Sequence, residues 1–151
     1  MTTIFEALRS DHEIQRDLVD RLVETTGDSD ERKSVFERLK VELEAHAIAE
    51  ERCFYVPLMQ DDLTQEKARH SVSEHHEIDE LVQKLVEYDR TASAWLTTAE
   101  ELHHKVHHHL DEEEQEVFQL AGKALSETAK TELAGEYADE MEHRREDGGA
   151  P

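Results

Sequence analysis

Two short stretches of this 151-residue sequence decide its fold: His46–Glu51, which reads HAIAEE, and His109–Glu114, which reads HLDEEE. Apolar residues recur every three or four positions around both stretches, and this period predicts amphipathic α-helices. On a helix, the histidine and the first glutamate of each stretch lie one turn apart on the same face. An imidazole and a carboxylate in this arrangement, used twice, can converge on a metal ion such as iron, manganese or zinc.

The composition favours a single, largely helical domain. Only 5 Gly and 2 Pro interrupt the chain, and charged and hydrophobic residues make up 36% each. The net charge of −21 argues against binding to nucleic acid or to anionic membranes, which require an excess of Lys and Arg. No apolar run reaches the roughly 18 to 20 residues that span a bilayer. The single cysteine, Cys53, cannot form an intramolecular disulfide, so we expect a reducing, cytoplasmic location.

The helical period, together with capping and turn residues, predicts five helices at about residues 3–25, 30–57, 65–90, 93–122 and 127–145. The first four carry clear apolar stripes, whereas the fifth is only weakly amphipathic. We therefore predict an all-α protein. The expected architecture is an up-down-up-down antiparallel four-helix bundle over residues 1–124, an additional C-terminal helix over 125–146 and a disordered tail over 147–151.

The sequence also repeats internally. Aligning His12 with His75 matches the first and third helices without a gap, and aligning His46 with His109 matches the second and fourth. Each half of the chain therefore provides one isolated histidine followed by one H-x-x-x-E motif. The repeat favours His75 over its neighbour His76 as the second isolated histidine.

The order of these elements resembles the hemerythrin-like, or HHE cation-binding, family over about residues 3–122. The residues that match are, in chain order, His12, His46, Glu50, His75, His109 and Glu113. The resemblance implies that these six residues bind metal inside the bundle, as an oxo- or hydroxo-bridged centre of two iron ions. Each histidine would bind one iron or the other, and Glu50 and Glu113 would bridge the pair.

The resemblance also implies a function. A non-haem di-iron protein of this kind would bind O₂, peroxide or nitric oxide at an open iron position, as a carrier, a sensor or a stress-response protein. Any enzymatic activity would be metal-centred, either peroxidase- or catalase-like or nitric-oxide-processing. Two rival functions are an iron-responsive module that folds on metal binding and meets a protein partner, and a bundle with structural zinc or a single metal ion. A homodimer is a further possible assembly.

Several neighbours of the six residues leave the ligand set open. The oxygen carriers of the family have a second histidine four residues after the first on the third helix, whereas Asp79 stands at that distance from His75 here. Asp79 is expected behind the ligands or in solvent. Those carriers also place the carboxylate five residues after the fourth-helix histidine, whereas Glu113 follows it by four. Glu114 is therefore a rival to Glu113 for the bridging position.

Three further features flank the predicted site. Cys53, seven residues after His46, would share the face of that histidine, where packing is its expected role. Tyr55, nine residues after His46, would lie half a turn away, so only a distortion of the helix would bring it to the site. Histidine pairs at 103–104 and 107–108 cannot all face the core, so most are expected in solvent, where they can bind metal adventitiously.

Overall fold

A computed structural model describes residues 2–148, and these form five long helices and no strand. The helices are α1 (Ile4–Glu24), α2 (Asp30–Glu50), α3 (Gln65–Glu87), α4 (Ser93–Glu112) and α5 (Glu127–Glu146). The prediction of an all-α chain is confirmed. Of the predicted disordered tail, residues 149–151 lie outside the described residues.

Capping residues explain where three of the helices begin. Thr3 starts α1 with a capping box, in which its hydroxyl accepts the backbone N–H of Glu6 and the Glu6 carboxylate accepts the N–H of Thr3. Ser29 and Ser126 cap α2 and α5 with their hydroxyl oxygens, which accept a backbone N–H three residues further on. These contacts satisfy backbone donors that the first helical turn leaves unpaired.

Two helix ends differ from the sequence prediction. Helix α3 ends at Glu87, three residues early, because the Asp89 carboxylate accepts the backbone N–H and the hydroxyl of Thr91 at 2.8 and 2.6 Å. Such an Asx turn competes with a further helical turn. Pro57 does not end the second helical stretch, because it lies in the first turn of the short helix Val56–Met59, where its missing N–H is tolerated.

A π-helical segment directly follows α2 and another follows α4. Glu51–Tyr55 joins α2 to Val56–Met59, and Glu113–Val117 joins α4 to Phe118–Ala124. A π-helical turn contains one extra residue, so side chains beyond it are rotated by about 100° relative to a straight α-helix. Both segments begin within one residue of the first glutamate of an H-x-x-x-E-E motif.

Helices α1 to α4 contact one another in a ring, in which each helix contacts the next and α4 closes against α1. Helix α5 packs on α1 and α2. Buried apolar residues form two clusters, one near residues 18–22 of α1 and the other near residues 4–8. Within the described part of the chain, no helix is long and apolar enough to cross a membrane.

Candidate metal centre

A layer of buried polar residues lies between the two apolar clusters. It contains all six residues that the sequence nominated as metal ligands, and we call it the polar layer: His12, His46, Glu50, His75, His109 and Glu113. None of the six is more than 8% exposed, so water does not satisfy their polar atoms. Burying such groups costs several kcal/mol or more unless they find a partner of opposite charge or a metal ion.

The four imidazoles of the polar layer share one arrangement, in which Nε2 lies within 4 Å of a carboxylate oxygen of Glu50 or Glu113. The shortest of these distances are 3.1 Å for His12 to Glu113, 3.3 Å for His46 to Glu50, 3.1 Å for His75 to Glu50 and 3.8 Å for His109 to Glu113. None of these four Nε2 atoms makes a hydrogen bond. The two carboxylate oxygens of Glu50 and the Oε1 atom of Glu113 also have no hydrogen-bond partner. Buried polar atoms are almost always partnered in folded proteins. This set of nitrogen and oxygen atoms therefore fits a bound metal.

The ligand atoms divide into two groups that share both glutamates. His12 and His46 form one group with the glutamates, and we call it the α1/α2 position. His75 and His109 form the other, the α3/α4 position. In each group the ligand atoms lie within 4.8 Å of one another. Two imidazoles and two carboxylates suit iron, manganese or zinc.

The second glutamate of each motif accepts a hydrogen bond from a histidine in the other half of the repeat. His12 Nδ1 donates to Glu114 Oε2 at 2.6 Å, and His75 Nδ1 donates to Glu51 Oε2 at 2.9 Å. Because these carboxylates require a proton on Nδ1, each neutral imidazole keeps the lone pair on Nε2 for a metal ion. Glu114 thus contacts His12 from behind, whereas Glu113 is the glutamate that belongs to both groups of candidate ligands.

The remaining two histidines are held in different ways. His109 Nδ1 donates directly to Glu74 Oε1 at 2.8 Å. The repeat aligns Glu74 with Asp11, but in the first half the hydroxyl of Tyr137 lies between Asp11 and His46. This hydroxyl accepts the His46 Nδ1–H at 2.7 Å and donates to Asp11 Oδ2 at 2.6 Å. Helix α5 thus contributes a side chain to the centre.

Tyr55 lies at the polar layer, where a straight helix would not place it. The π-helical segment rotates it inward, and its hydroxyl donates a hydrogen bond to Glu113 Oε2. Its ring lies beside His75, with ring centroids 5.7 Å apart. The equivalent residue of the second half is Phe118, which stacks on His12 at 6.0 Å and has no hydroxyl.

Three residues close in sequence to the candidate ligands lie outside the polar layer. His76 and Asp79 are exposed and line the rim of a cavity. Cys53 belongs to the apolar cluster near residues 4–8, and burial raises the pKa of its thiol to about 11. The thiol therefore stays protonated at neutral pH, and the location agrees with a packing role.

A cavity of about 450 Å³ opens between α2 and α3 and reaches the candidate centre. Three histidines of the polar layer line it, namely His46, His75 and His109, together with Gln15 of α1. Gln15 is buried, and its amide nitrogen has no hydrogen-bond partner. The cavity thus offers small molecules a route to the centre and an unpartnered amide NH₂ group beside it.

Without a bound metal, burial and neighbouring charges shift the pKa values of the residues of the centre in different directions. Burial disfavours a charged imidazole at His75, but Glu50 and Glu51 outweigh burial and raise the pKa to about 9. At His109 burial prevails and lowers the pKa to about 4. Burial and the neighbouring charge of Glu50 raise the pKa of Glu113 well above its usual range. The metal-free centre therefore holds protons that a metal ion would displace.

Sequence analysis assigned no role to Gln15, Glu51, Glu74 or Tyr137. The second glutamate of each H-x-x-x-E-E motif could have indicated a site role for Glu51. The acidic residue directly before each isolated histidine could have indicated one for Glu74. Gln15 lies one turn after His12 on the same face, which is a weaker signal. No pattern in the sequence indicates Tyr137, because its helix lies outside the repeat.

Comparison with known proteins identifies the family. The sequence model of the hemerythrin HHE cation binding domain matches residues 3–121, which is most of the chain. The fold is similar to the crystal structure of a hemerythrin HHE cation binding domain-containing protein from Mycobacterium kansasii. The TM-score is 0.87 at 21% sequence identity, over 97% of this chain and 90% of that chain. No curated protein matches the sequence. The chain belongs to the hemerythrin HHE cation-binding domain family.

Proposed function

We propose that this chain holds two iron ions within an antiparallel four-helix bundle and binds O₂, peroxide or nitric oxide at one of them. The observation that carries the proposal is the pair of groups that share Glu50 and Glu113. Within them the four Nε2 atoms, both oxygens of Glu50 and Oε1 of Glu113 are buried without a hydrogen-bond partner. Two carboxylates between two cations offset the repulsion of those cations, and neutral imidazoles suit the terminal positions. When bound, iron would supply the affinity for these ligands and the redox chemistry.

Residues of the chain would orient the ligands and control access. Hydrogen bonds to Nδ1 fix the direction of each imidazole before a metal binds. The cavity between α2 and α3 admits small molecules, and the Gln15 amide N–H is available to donate to one of them. The Tyr55 hydroxyl places a phenolic proton at Glu113. These features support a small-molecule ligand.

Iron content and absorption spectra test the proposal. Metal-free protein reconstituted anaerobically with Fe(II) should retain two irons per chain, and exposure to air should add near-ultraviolet bands typical of a bridged iron pair. His75→Ala should lose iron, whereas His76→Ala, an exposed neighbour on the same helix, should retain both ions. One iron or fewer in the unaltered protein, with no new bands, would contradict the di-iron proposal.

The same preparation distinguishes the possible roles. Steady decay of added peroxide or nitric oxide would favour an enzyme, whereas reversible binding without decay would favour a carrier or sensor. A protein that retains zinc in preference to iron and shows no new absorption would indicate a structural metal.

A metal-responsive binding module is a second candidate, and the contacts of α5 favour it. Tyr137 joins His46 to Asp11, and Arg145 binds Asp11 at 2.9 Å and Glu42 at 2.7 Å. A change at His46 would therefore alter how α5 docks and which surface a protein partner meets. Hydrogen exchange of α5 with and without iron tests this candidate, and equal protection in both states would exclude it.

We also infer a cytoplasmic location. The single cysteine is buried and protonated, as suits a protein that needs no disulfide in a reducing compartment. The strongly acidic composition supports a ligand other than nucleic acid.

A further inference from the structure

We propose a second metal site on the outer surface of the protein, where α1 meets α4. Its residues are Asp20 of α1 with His103 and His107 of α4, and we call them the outer triad. The ligand is a divalent transition ion for which zinc is the test case. The outer triad shares no residue with the polar layer, so this proposal stands apart from the proposed di-iron function.

Three ligand atoms from two helices converge at the outer triad. His103 and His107 are four residues apart and therefore lie on one face of α4, with ring centroids 4.6 Å apart. Their Nε2 atoms lie 2.8 and 2.7 Å from the same atom, Asp20 Oδ1. Two imidazoles aimed at a single carboxylate oxygen of another helix form three corners of a metal coordination shell.

The dimensions of the outer triad fit a zinc ion after a small adjustment. Zinc binds imidazole nitrogen and carboxylate oxygen at about 2.0 to 2.2 Å, so neighbouring tetrahedral ligands lie about 3.3 Å apart. The two nitrogens would each move about half an ångström from the oxygen to reach this spacing. The side chains are 36%, 31% and 53% exposed, so they can rotate that far, and water can complete the shell.

A neighbouring histidine pair shows that i, i+4 spacing alone does not bring two imidazoles to one carboxylate. His104 and His108 also lie one turn apart on α4, but their rings stack 6.3 Å apart. His108 Nε2 contacts Glu112 at 3.1 Å, and among residues 2–148 no carboxylate contacts both members of this pair. The shared carboxylate is therefore what distinguishes the outer triad. The net charge of −21 further favours a cation at this surface.

An ion at the outer triad would link α1 to α4, the contact that closes the ring of helices. A ligand that binds only the folded protein stabilises it by mass action. Zinc should therefore raise the melting temperature partly through the outer triad, independently of the metal content of the polar layer.

Zinc stoichiometry of the full chain tests the proposal. We expect the unaltered protein to bind one more zinc ion per chain, by equilibrium dialysis and metal analysis, than either Asp20→Asn or the double variant His103→Gln/His107→Gln. Crystals soaked in zinc should show an anomalous scattering peak between the three side chains. Circular dichroism would establish that the variants fold, as expected for substitutions at partly or fully exposed positions.

His104→Gln is the matched control, because it removes an exposed histidine of the same helix next to His103. This variant should bind as much zinc as the unaltered protein and should show the same rise in melting temperature. Equal zinc stoichiometry in the unaltered protein and Asp20→Asn would overturn the proposal, as would an anomalous peak on other histidines without one at the outer triad.

Discussion

The two halves of the repeat build the same polar layer but complete it differently. In the second half, the Glu74 carboxylate accepts directly from His109, whereas in the first half Tyr137 stands between Asp11 and His46. Aspartate is one methylene shorter than glutamate, so the Asp11 carboxylate does not reach His46. The Tyr137 hydroxyl of α5 lies between them and bonds to both. Helix α5 therefore completes one half of the centre, while the other half is complete without it.

A second difference lies beyond the π-helical segments. Tyr55 and Phe118 occupy equivalent places in the repeat, and each ring lies against an isolated histidine. Tyr55 donates to Glu113, whereas the Phe118 ring faces the guanidinium of Arg9 at 5.0 Å. The two candidate metal positions are therefore related by the repeat but are chemically unequal.

Metal removal should have the largest effect, because both halves contribute candidate ligands to the same polar layer. Without metal, four imidazole nitrogens and the carboxylates of Glu50 and Glu113 stay buried with poor partners. We expect a chelator to lower the melting temperature by about 10 °C or more, since each kcal/mol shifts it by roughly 2 to 4 °C in a protein of this size. Calorimetry with and without chelator measures this, and an unchanged transition would count against a metal that orders the bundle.

Substitutions behind His46 and His109 should affect the two candidate metal positions separately. Tyr137→Phe removes the hydroxyl that links His46 to Asp11, and Glu74→Gln is the matched change behind His109. Such supporting contacts typically contribute 10- to 100-fold to metal affinity, so each variant should lose about that much at one position and keep the other. Competition with a chromophoric chelator measures both affinities. If only Glu74→Gln weakens binding, α5 merely packs against the bundle.

Metal affinity and stability should both depend on pH through the two histidines of the α3/α4 position. Metal needs neutral imidazoles, so affinity should fall as the pH falls. In metal-free protein, the raised pKa of His75, about 9, adds stability that is complete below pH 6.5 and disappears as the pH rises through 9. The lowered pKa of His109, about 4, instead costs stability as the pH falls from 6.5 towards 4.

Nitrogen-15 NMR of the imidazoles in the metal-free protein follows these two titrations directly. His75 should deprotonate near pH 9, while His109 should stay neutral down to about pH 4. Titration of both rings near 6.5 would show that neither the carboxylates around His75 nor the burial of His109 sets the charge of these rings.

The repeat also shows why the sequence was sufficient to predict the helices and the residues that they bury. Helical period fixes which residues share a face, and two copies of one motif selected the same face twice. His46 and His109 were therefore both expected inside the protein, and both are buried in the polar layer. Caps such as Thr3 and Ser126 are likewise local signals, readable from their immediate neighbours.

The differences between the halves were not readable in this way. Tyr55 lies after a π-helical turn, and a fixed period of 3.6 residues assigns such a residue to the wrong face. Tyr137 reaches His46 across 91 positions of the chain, through the docking of one helix on two others. Long-range docking depends on the whole packed surface, which no local pattern encodes.

Exchanging the aromatic residues beyond the π-helical segments should have the smallest effect on stability. Tyr55→Phe removes one hydrogen bond to buried Glu113, so the free energy of unfolding of the metal-free protein should fall by about 1 kcal/mol in urea titrations. By the repeat, a hydroxyl added with Phe118→Tyr would meet Glu50, whose oxygens lack hydrogen bonds. The double variant should therefore regain most of the loss, while Tyr88→Phe, at an exposed tyrosine, should change stability by less than about 0.5 kcal/mol. If Phe118→Tyr instead adds a second loss, the hydroxyl has no acceptor there, and the repeat does not extend beyond the π-helical segments.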